Sequence, residues 1–146
     1  MLELKTLGFT DSAAEIRKLR EKTLRSHVQI KWEDDTQINN VLLTETLRKL
    51  ESASENIEQW NDSIIDMVRL YFVDMKKIFC VLYKKMKQNG RVYFNVLIDT
   101  LEICASIAEQ EGFKVIEIRD ARKLKTSPQQ QEKVGKLLEG VIVLER

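Results

Sequence analysis

The sequence predicts an α/β protein in which long helices precede a small sheet. Apolar residues recur at helical spacing through most of the chain before Gly90, and short runs rich in strand-forming residues follow it. In the last third, a strand, a helix and a strand succeed each other with short connections, as in a βαβ unit. The chain has 146 residues, 43% of them apolar, which is enough for one ordinary core.

The first predicted helix runs from about residue 13 to Ser26. Ser12 and Glu15 form a capping box, and apolar residues follow at helical spacing. Its outer face is basic, with five cations against two acids between Glu15 and His27. Such a face is typical of a solvated helix and also of a helix that contacts phosphates, and both interpretations stay open.

Two further helices are predicted before Gly90. After a charged connector, the second runs from about Gln37 to Gln59 with a leucine stripe. The third can be capped by Asn61 and Asp62, and Asn89-Gly90 supplies a left-handed stop. Its stripe of aliphatic, aromatic and Met residues is typical of a core: Ile64, Ile65, Val68, Tyr71, Phe72, Met75, Phe79, Leu82 and Met86.

The remaining chain predicts strands at 91–96, 113–118 and 140–144. Asp99 with Glu102 caps the intervening helix, which ends at Gly112. Residues 119–136 carry a local charge of +4 and are predicted as a polar loop, whereas the last strand is continuously apolar and should be buried on both faces. Three strands with one crossover leave an open edge, so we expect either an incomplete domain or a sheet that a partner or a second copy completes.

Composition excludes several classes of function. Lysine and arginine number 24 against 23 acids, so net charge gives no argument for nucleic acid or membrane binding. The five glycines form no GxGxxG or P-loop motif, and one histidine excludes an HExxH zinc site. Cys80 and Cys104 have no CxxC spacing and are predicted to be buried free thiols. No membrane-spanning run or signal pattern is present, which predicts a cytoplasmic protein with no membrane partner.

Several short motifs follow each other along the chain in an order that is more specific than any one of them. They are LEL at 2–4, LGF at 7–9, IR and LR at 16–20, LRSH at 24–27, YF and DM within 71–75, EGF at 111–113 and EGVIVL at 139–144. This ordered set resembles the C-terminal half of SAM-dependent DNA modification methylases. The resemblance covers nearly the whole chain.

The resemblance implies a partial class I, Rossmann-like methyltransferase sheet. It comprises the last three strands, with the final strand antiparallel between its two predecessors. Residues 1–60 would be the helical segment that follows the catalytic loop, and 61–146 the C-terminal half of the methyltransferase domain. The connection across residues 95–99 is shorter than the glycine-containing loop usual in this family.

The implied activity is methyl transfer from S-adenosyl-L-methionine to an exocyclic amine of cytosine or adenine in DNA. The glycine-rich SAM loop and the (D/S)PPY loop have no counterpart here, as the counts of five glycines and one proline confirm. We therefore expect no cofactor binding and no catalysis by this chain alone. The expected partners are DNA and the missing N-terminal half or a second copy.

The resemblance also places the first helix near the DNA. Arg17, Arg20 and Arg25 would neutralise phosphates, and Ser26 and His27 would hydrogen-bond phosphate or a base edge. For His27, a helix-terminal position favoured by the helix dipole is the competing interpretation.

Two other functions stay open. The first is a non-enzymatic module that uses its open sheet edge and amphipathic helices for dimerisation or partner binding. The second is a methyltransferase fragment acting on RNA or a small molecule, since fold does not dictate substrate. The resemblance at LGF and LRSH lies outside the sheet common to that superfamily, which favours DNA.

Overall fold

The computed structural model describes Ser12, Glu15, Lys18, Leu19, and residues 23–26, 32–55, 63–123 and 138–146. The predicted α/β class is confirmed. The elements with defined bounds are α1 (Val41–Ser54), α2 (Ser63–Lys85), β1 (Arg91–Leu97), α3 (Ile98–Gln110), β2 (Lys114–Lys123) and β3 (Leu138–Glu145).

The sheet has the order β1-β3-β2, with the last strand in the centre. Because β3 is antiparallel to both neighbours, β1 and β2 run parallel to each other. Ile142 of β3 is the register partner of Phe94 on one side and of Ile118 on the other. The predicted reversal of the final strand between its two predecessors is therefore confirmed.

One face of this sheet carries the core. Burial alternates along β1, and Val92, Phe94 and Val96 pack against the same apolar cluster as the buried Ile142 and Leu144 of β3. Helices α2 and α3 both contribute to that cluster, so they cover the same face of the sheet. Their fully or nearly fully buried residues are Phe72, Val73, Met75 and Phe79 of α2 and Leu101, Ile103, Cys104, Ala105, Ile107 and Ala108 of α3.

The apolar stripe of α2 is core, as its spacing predicts. Phe79 is fully buried and makes edge-to-face contacts with Phe94 of β1 and Phe113, with ring centroids 5.4 and 6.3 Å apart. The predicted left-handed residue is found at Asn89, whose φ is 61°, but α2 already ends at Lys85, so Asn89 lies in the turn that leads into β1. Gly112 has a φ of +103°, and a Cβ there would lie 2.9 Å from the Tyr83 ring.

Two helix boundaries differ from prediction. Helix α1 begins at Val41, because Asn40 is its N-cap and accepts a hydrogen bond from the Leu43 amide at 3.0 Å. The predicted cap of α3 at Asp99 is wrong, since β1 continues to Leu97, which is the N-cap residue, and α3 follows at once. Asp99 lies in the first helical turn instead. The predicted direct connection between this strand and helix is confirmed.

The first helix is confirmed in part. Glu15, Lys18 and Leu19 are helical, and the Glu15 amide donates to the Ser12 hydroxyl at 3.2 Å, as the capping box predicts. The predicted end at Ser26 is wrong, because residues 23–26 are not helical. The predicted caps Asn61 and Asp62 lie outside the described residues.

The predicted loop over 119–136 is wrong at its beginning. Strand β2 continues to Lys123, because β3 begins at Leu138 and supplies partners for these residues. Register irregularities occur between Val115 and Glu117 and between Asp120 and Arg122. Residues 124–136 lie outside the described part of the chain. Burial of the last strand is confirmed for Ile142, Val143 and Leu144.

Candidate functional site

Of the predicted DNA contacts, the structure describes Arg25 and Ser26. Arg17, Arg20 and His27 lie outside the described residues. Ser26 is exposed, and its hydroxyl donates to the Leu24 carbonyl at 3.4 Å. Arg25, in contrast, is only 7% exposed.

Arg25 is held by a carboxylate of α2. Its Nη2 donates to Asp74 Oδ1 at 2.6 Å, and its Nε donates to Oδ2 at 3.0 Å, which is a bidentate pair. The Arg25 amide also donates to Asp74 Oδ2 at 3.1 Å. The remaining guanidinium nitrogen, Nη1, is paired with Asp34. Because residues 23–26 are not helical, the Arg25 amide is free to donate to Asp74.

A second arginine, Arg69, which belongs to α2, holds residues 34–36. Arg69 donates to the carbonyls of Asp34 and Thr36, at 2.7 and 2.6 Å, and to Asp66 at 3.1 Å. The Thr36 amide donates to Asp34 Oδ1 at 2.9 Å, closing a local turn. We call Arg25, Asp34, Thr36, Arg69 and Asp74 the Arg25 cluster. It ties Arg25 and residues 34–36 to α2.

The cluster keeps its carboxylates ionised. Hydrogen bonds from Thr36, and then from Arg25, hold the pKa of Asp34 well below its usual value. Partial burial raises the pKa of Asp74, but the hydrogen bonds and charge of Arg25 outweigh it and the net shift is downward. The pKa of Arg25 is raised, chiefly by its hydrogen bond to Asp74. At neutral pH the cluster is thus a charged network and not a proton donor.

The predicted DNA contact of Arg25 stays a prediction, and the geometry favours a positioning role. Each of its side-chain nitrogens is paired with a carboxylate and the residue is only 7% exposed, so little of the guanidinium is open to a phosphate. The exposed residues nearby in sequence, Lys18 and Ser26, are better placed to meet a ligand.

Sequence reasoning missed the partners of Arg25. Asp74 entered it only as a letter of a motif, and Asp34 only as part of a charged connector. A signal was present, because Asp74 is flanked by Val73 and Met75, both buried. A carboxylate in such a position needs a partner, and a long-range arginine is the usual one.

Two clefts in the described part of the chain lie beside α1. One, of about 260 Å³, lies between α1 and the start of α2 and is lined by Gln37, Ile38, Leu43, Thr44, Leu47, Arg48, Glu51 and Arg69. The other, of about 410 Å³, is lined by Leu42, Glu45, Thr46, Lys49, Asp99, Glu102 and Ile103. Its carboxylates are solvent-exposed, as on an ordinary charged surface. Across the described ranges no group of three acidic, Cys or His residues could hold a metal ion.

The cysteines are free. Burial raises the pKa of the Cys104 thiol to about 12, so it is not a nucleophile at neutral pH. The prediction of a buried thiol is confirmed for Cys104, whereas Cys80 is only half-buried.

The two edges of the sheet differ in their protection. The β1 edge is the outer side of Arg91–Leu97, and no strand of the described ranges pairs with it. It contains no Lys, Pro, Gly or bulge, the features that usually block pairing. On the opposite edge, β2 has two register irregularities and exposed charged residues, including Lys114, Glu117 and Arg119.

The sheet face away from the helices carries mixed side chains. Tyr93 is 68% exposed, and Asn95 and Leu97 are also exposed. Arg91 donates to Glu145 at 2.9 Å across the β1–β3 pair. The face therefore resembles the solvated side of an antiparallel sheet more than a second core.

Comparison of the chain with protein-family models, with curated proteins and with solved structures finds no match. Among the described helices, none has the length and apolar character needed to cross a membrane.

Proposed function

We propose that this chain is the C-terminal part of a SAM-dependent DNA methyltransferase that modifies an exocyclic amine of cytosine or adenine. The observation that carries the proposal is the strand order β1-β3-β2, with β3 reversed between two parallel strands. This is the arrangement that the motif resemblance implies for the last three strands. In such an enzyme this chain completes the sheet.

The Arg25 cluster supports the same proposal. Two of the motifs that carry the resemblance, LRSH and the YF-DM segment of α2, meet through the Arg25–Asp74 pair. The pair gives both motifs one physical purpose, which is to fix the segment after the first helix onto α2. Arg17, Arg20, Ser26 and His27 are the proposed DNA contacts, and Arg25 positions the segment that carries them.

The residues of this chain do not fit a SAM site. The five glycines build no phosphate- or carboxylate-binding loop. Ligands of open α/β sheets bind beyond the carboxyl ends of the strands, and here α3 begins at Ile98, directly after Leu97. In the proposed enzyme the donor and the target base are held by the other part.

Joint expression tests this assignment. The chain is produced alone and together with the polypeptide encoded immediately upstream of its Met1 codon, and methylation of plasmid DNA is measured with tritiated SAM. We expect no methylation by the chain alone and methylation by the pair. Methylation by the isolated chain would refute the assignment, as would an upstream sequence without a glycine-rich loop and a (D/S)PPY tetrapeptide.

The DNA contacts are tested separately, in the chain alone. Arg17→Ala/Arg20→Ala should weaken binding of unrelated duplexes equally in an anisotropy titration and reduce the salt slope by roughly 2, because two phosphate contacts are lost. Lys84→Ala/Lys85→Ala removes the same charge from exposed positions of α2 and is the matched control. Equal weakening by both variants would show that only overall charge matters.

A partner-binding module without catalysis is the second candidate. The unprotected β1 edge favours it, because an exposed strand without blocking features is a ready template for another strand. Joint expression separates the two candidates. A complex that forms with the upstream polypeptide but transfers no methyl group to DNA would favour the binding module.

A further inference from the structure

The core of the protein is incomplete along the β1 edge. Ile142 and Leu144 of the central strand are fully buried, whereas Val92, Phe94 and Val96 of β1, on the same face, are only half-buried. A strand added beside β1 would cover these three side chains. It would also satisfy the outward backbone groups of a strand that has no blocking feature.

The sequence of β1 is compatible with pairing to itself. In an antiparallel pair centred on Phe94, Val92 lies opposite Val96 of the other copy, Tyr93 opposite Asn95, and Arg91 opposite Leu97. Apolar inward residues then meet apolar residues, and no like charges face each other. Like residues face each other because the burial pattern of the strand alternates evenly on both sides of Phe94.

We propose that a second copy of this chain docks on the β1 edge, forming a continuous six-stranded sheet with the strand order β2-β3-β1-β1-β3-β2. The two-fold axis passes through the Phe94 pair and stands perpendicular to the sheet, so the helices of both copies cover the same face. A shift by one residue would place the helices on opposite faces and set Phe94 against an exposed position. The symmetric register is therefore favoured.

This inference does not rest on the methyltransferase proposal. It depends only on the β1 edge, with which no strand of the described residues pairs, on the half-buried inward residues and on the symmetry of the strand. A strand donated by the proposed N-terminal part would compete for the same edge, so dimers should dissociate when that part binds.

Charges introduced at two exposed positions of β1 test the pairing and its register. Tyr93→Lys/Asn95→Lys puts a lysine opposite a lysine twice in each dimer, which should weaken dimerisation by roughly tenfold or more. The matched control, Tyr93→Lys/Asn95→Glu, puts a lysine opposite a glutamate twice and should restore the dimer. Both side chains are exposed in the monomer, so thermal unfolding by circular dichroism should show similar folding of the two variants.

Sedimentation equilibrium of the full chain and both variants gives the readout. The proposal expects a dimer for the unchanged chain, a monomer-dominated population for the first variant and a dimer for the second. A monomeric unchanged chain would overturn it. So would a dimer that the first variant leaves intact, or one that both variants abolish, because the contact would then lie elsewhere or in another register.

Discussion

Helix α2 is held in two different ways, and the difference separates what packing provides from what charge provides. Its core side, with Phe72, Met75 and Phe79, packs against α3 and the sheet through apolar contacts. Its polar contacts, through Arg69 and Asp74, hold Arg25, Asp34 and Thr36 by hydrogen bonds and ion pairs. Apolar contacts respond little to pH, whereas the polar contacts require ionised carboxylates. The two attachments can therefore be broken separately.

The largest effect should come from the core side. Phe79→Ala removes the ring that contacts Phe94 and Phe113, and should lower the free energy of unfolding by about 3–5 kcal/mol. Urea unfolding followed by circular dichroism measures it. Ile78→Ala, at a neighbouring exposed position, should cost much less. Equal losses for the two variants would contradict this picture of α2.

The next effect should come from the Arg25 cluster. Arg25→Ala leaves the Asp74 carboxylate without its bidentate partner and should cost about 3 kcal/mol, since breaking one side of a buried pair strands a charge. Hydrogen exchange should show faster opening of residues 32–40 while β3 stays protected. Arg25→Lys keeps the charge but loses the fork, so an intermediate loss is expected. A loss below about 0.5 kcal/mol, typical of a surface pair, would mean that the cluster contributes little.

Acid should weaken the polar attachment more gently than removal of Arg25. The pKa values of Asp34 and Asp74 are lowered in the folded state, so their contribution is present above the ordinary Asp pKa of about 3.9 and is lost as pH falls below it. The urea concentration at the midpoint of unfolding should therefore decrease as the pH is lowered below about 3.9. The Arg25→Ala variant should show a shallower fall. An equal pH dependence in that variant would assign the effect to other carboxylates.

The smallest effect is expected for the exposed pair between Lys77 and Asp74. Its nitrogen and oxygen are 3.8 Å apart, and the lysine side chain is 64% exposed. Lys77→Ala should change the free energy of unfolding by less than about 0.5 kcal/mol. A loss near that of Arg25→Ala would show that Asp74 depends on its whole charge environment.

The sequence predicts the core side of α2 well and the polar side poorly. Periodicity identifies Phe72, Met75 and Phe79, because every third or fourth residue of a helix faces the same way. The reversed final strand follows from the resemblance and not from periodicity. The partners of Arg25 lie 9 and 49 residues away in sequence, and no local pattern encodes such a distance.

The cap of α3 fails for a related reason. Asp99 and Glu102 form a plausible capping pair, but β1 extends to Leu97, so the N-terminus of α3 lies at Ile98 and not after Asp99. Strand length depends on partners, here Glu139 and Gly140 of β3, which no local rule includes. The candidate site shows the same limit. Ser26 and Lys18 are exposed as expected, whereas the burial of Arg25 depends on the tertiary fold.

The joint between Leu97 and Ile98 contains no residue that could act as a hinge. With no loop residue between them, the direction in which β1 ends fixes where the first turn of α3 begins. Helix α3 in turn packs closely on the central strand, because Leu101 Cδ1 would lie 2.2 Å from a Cβ placed on Gly140. Adding flexible residues at this joint would decouple the two elements and give small molecules a path to the end of the strand.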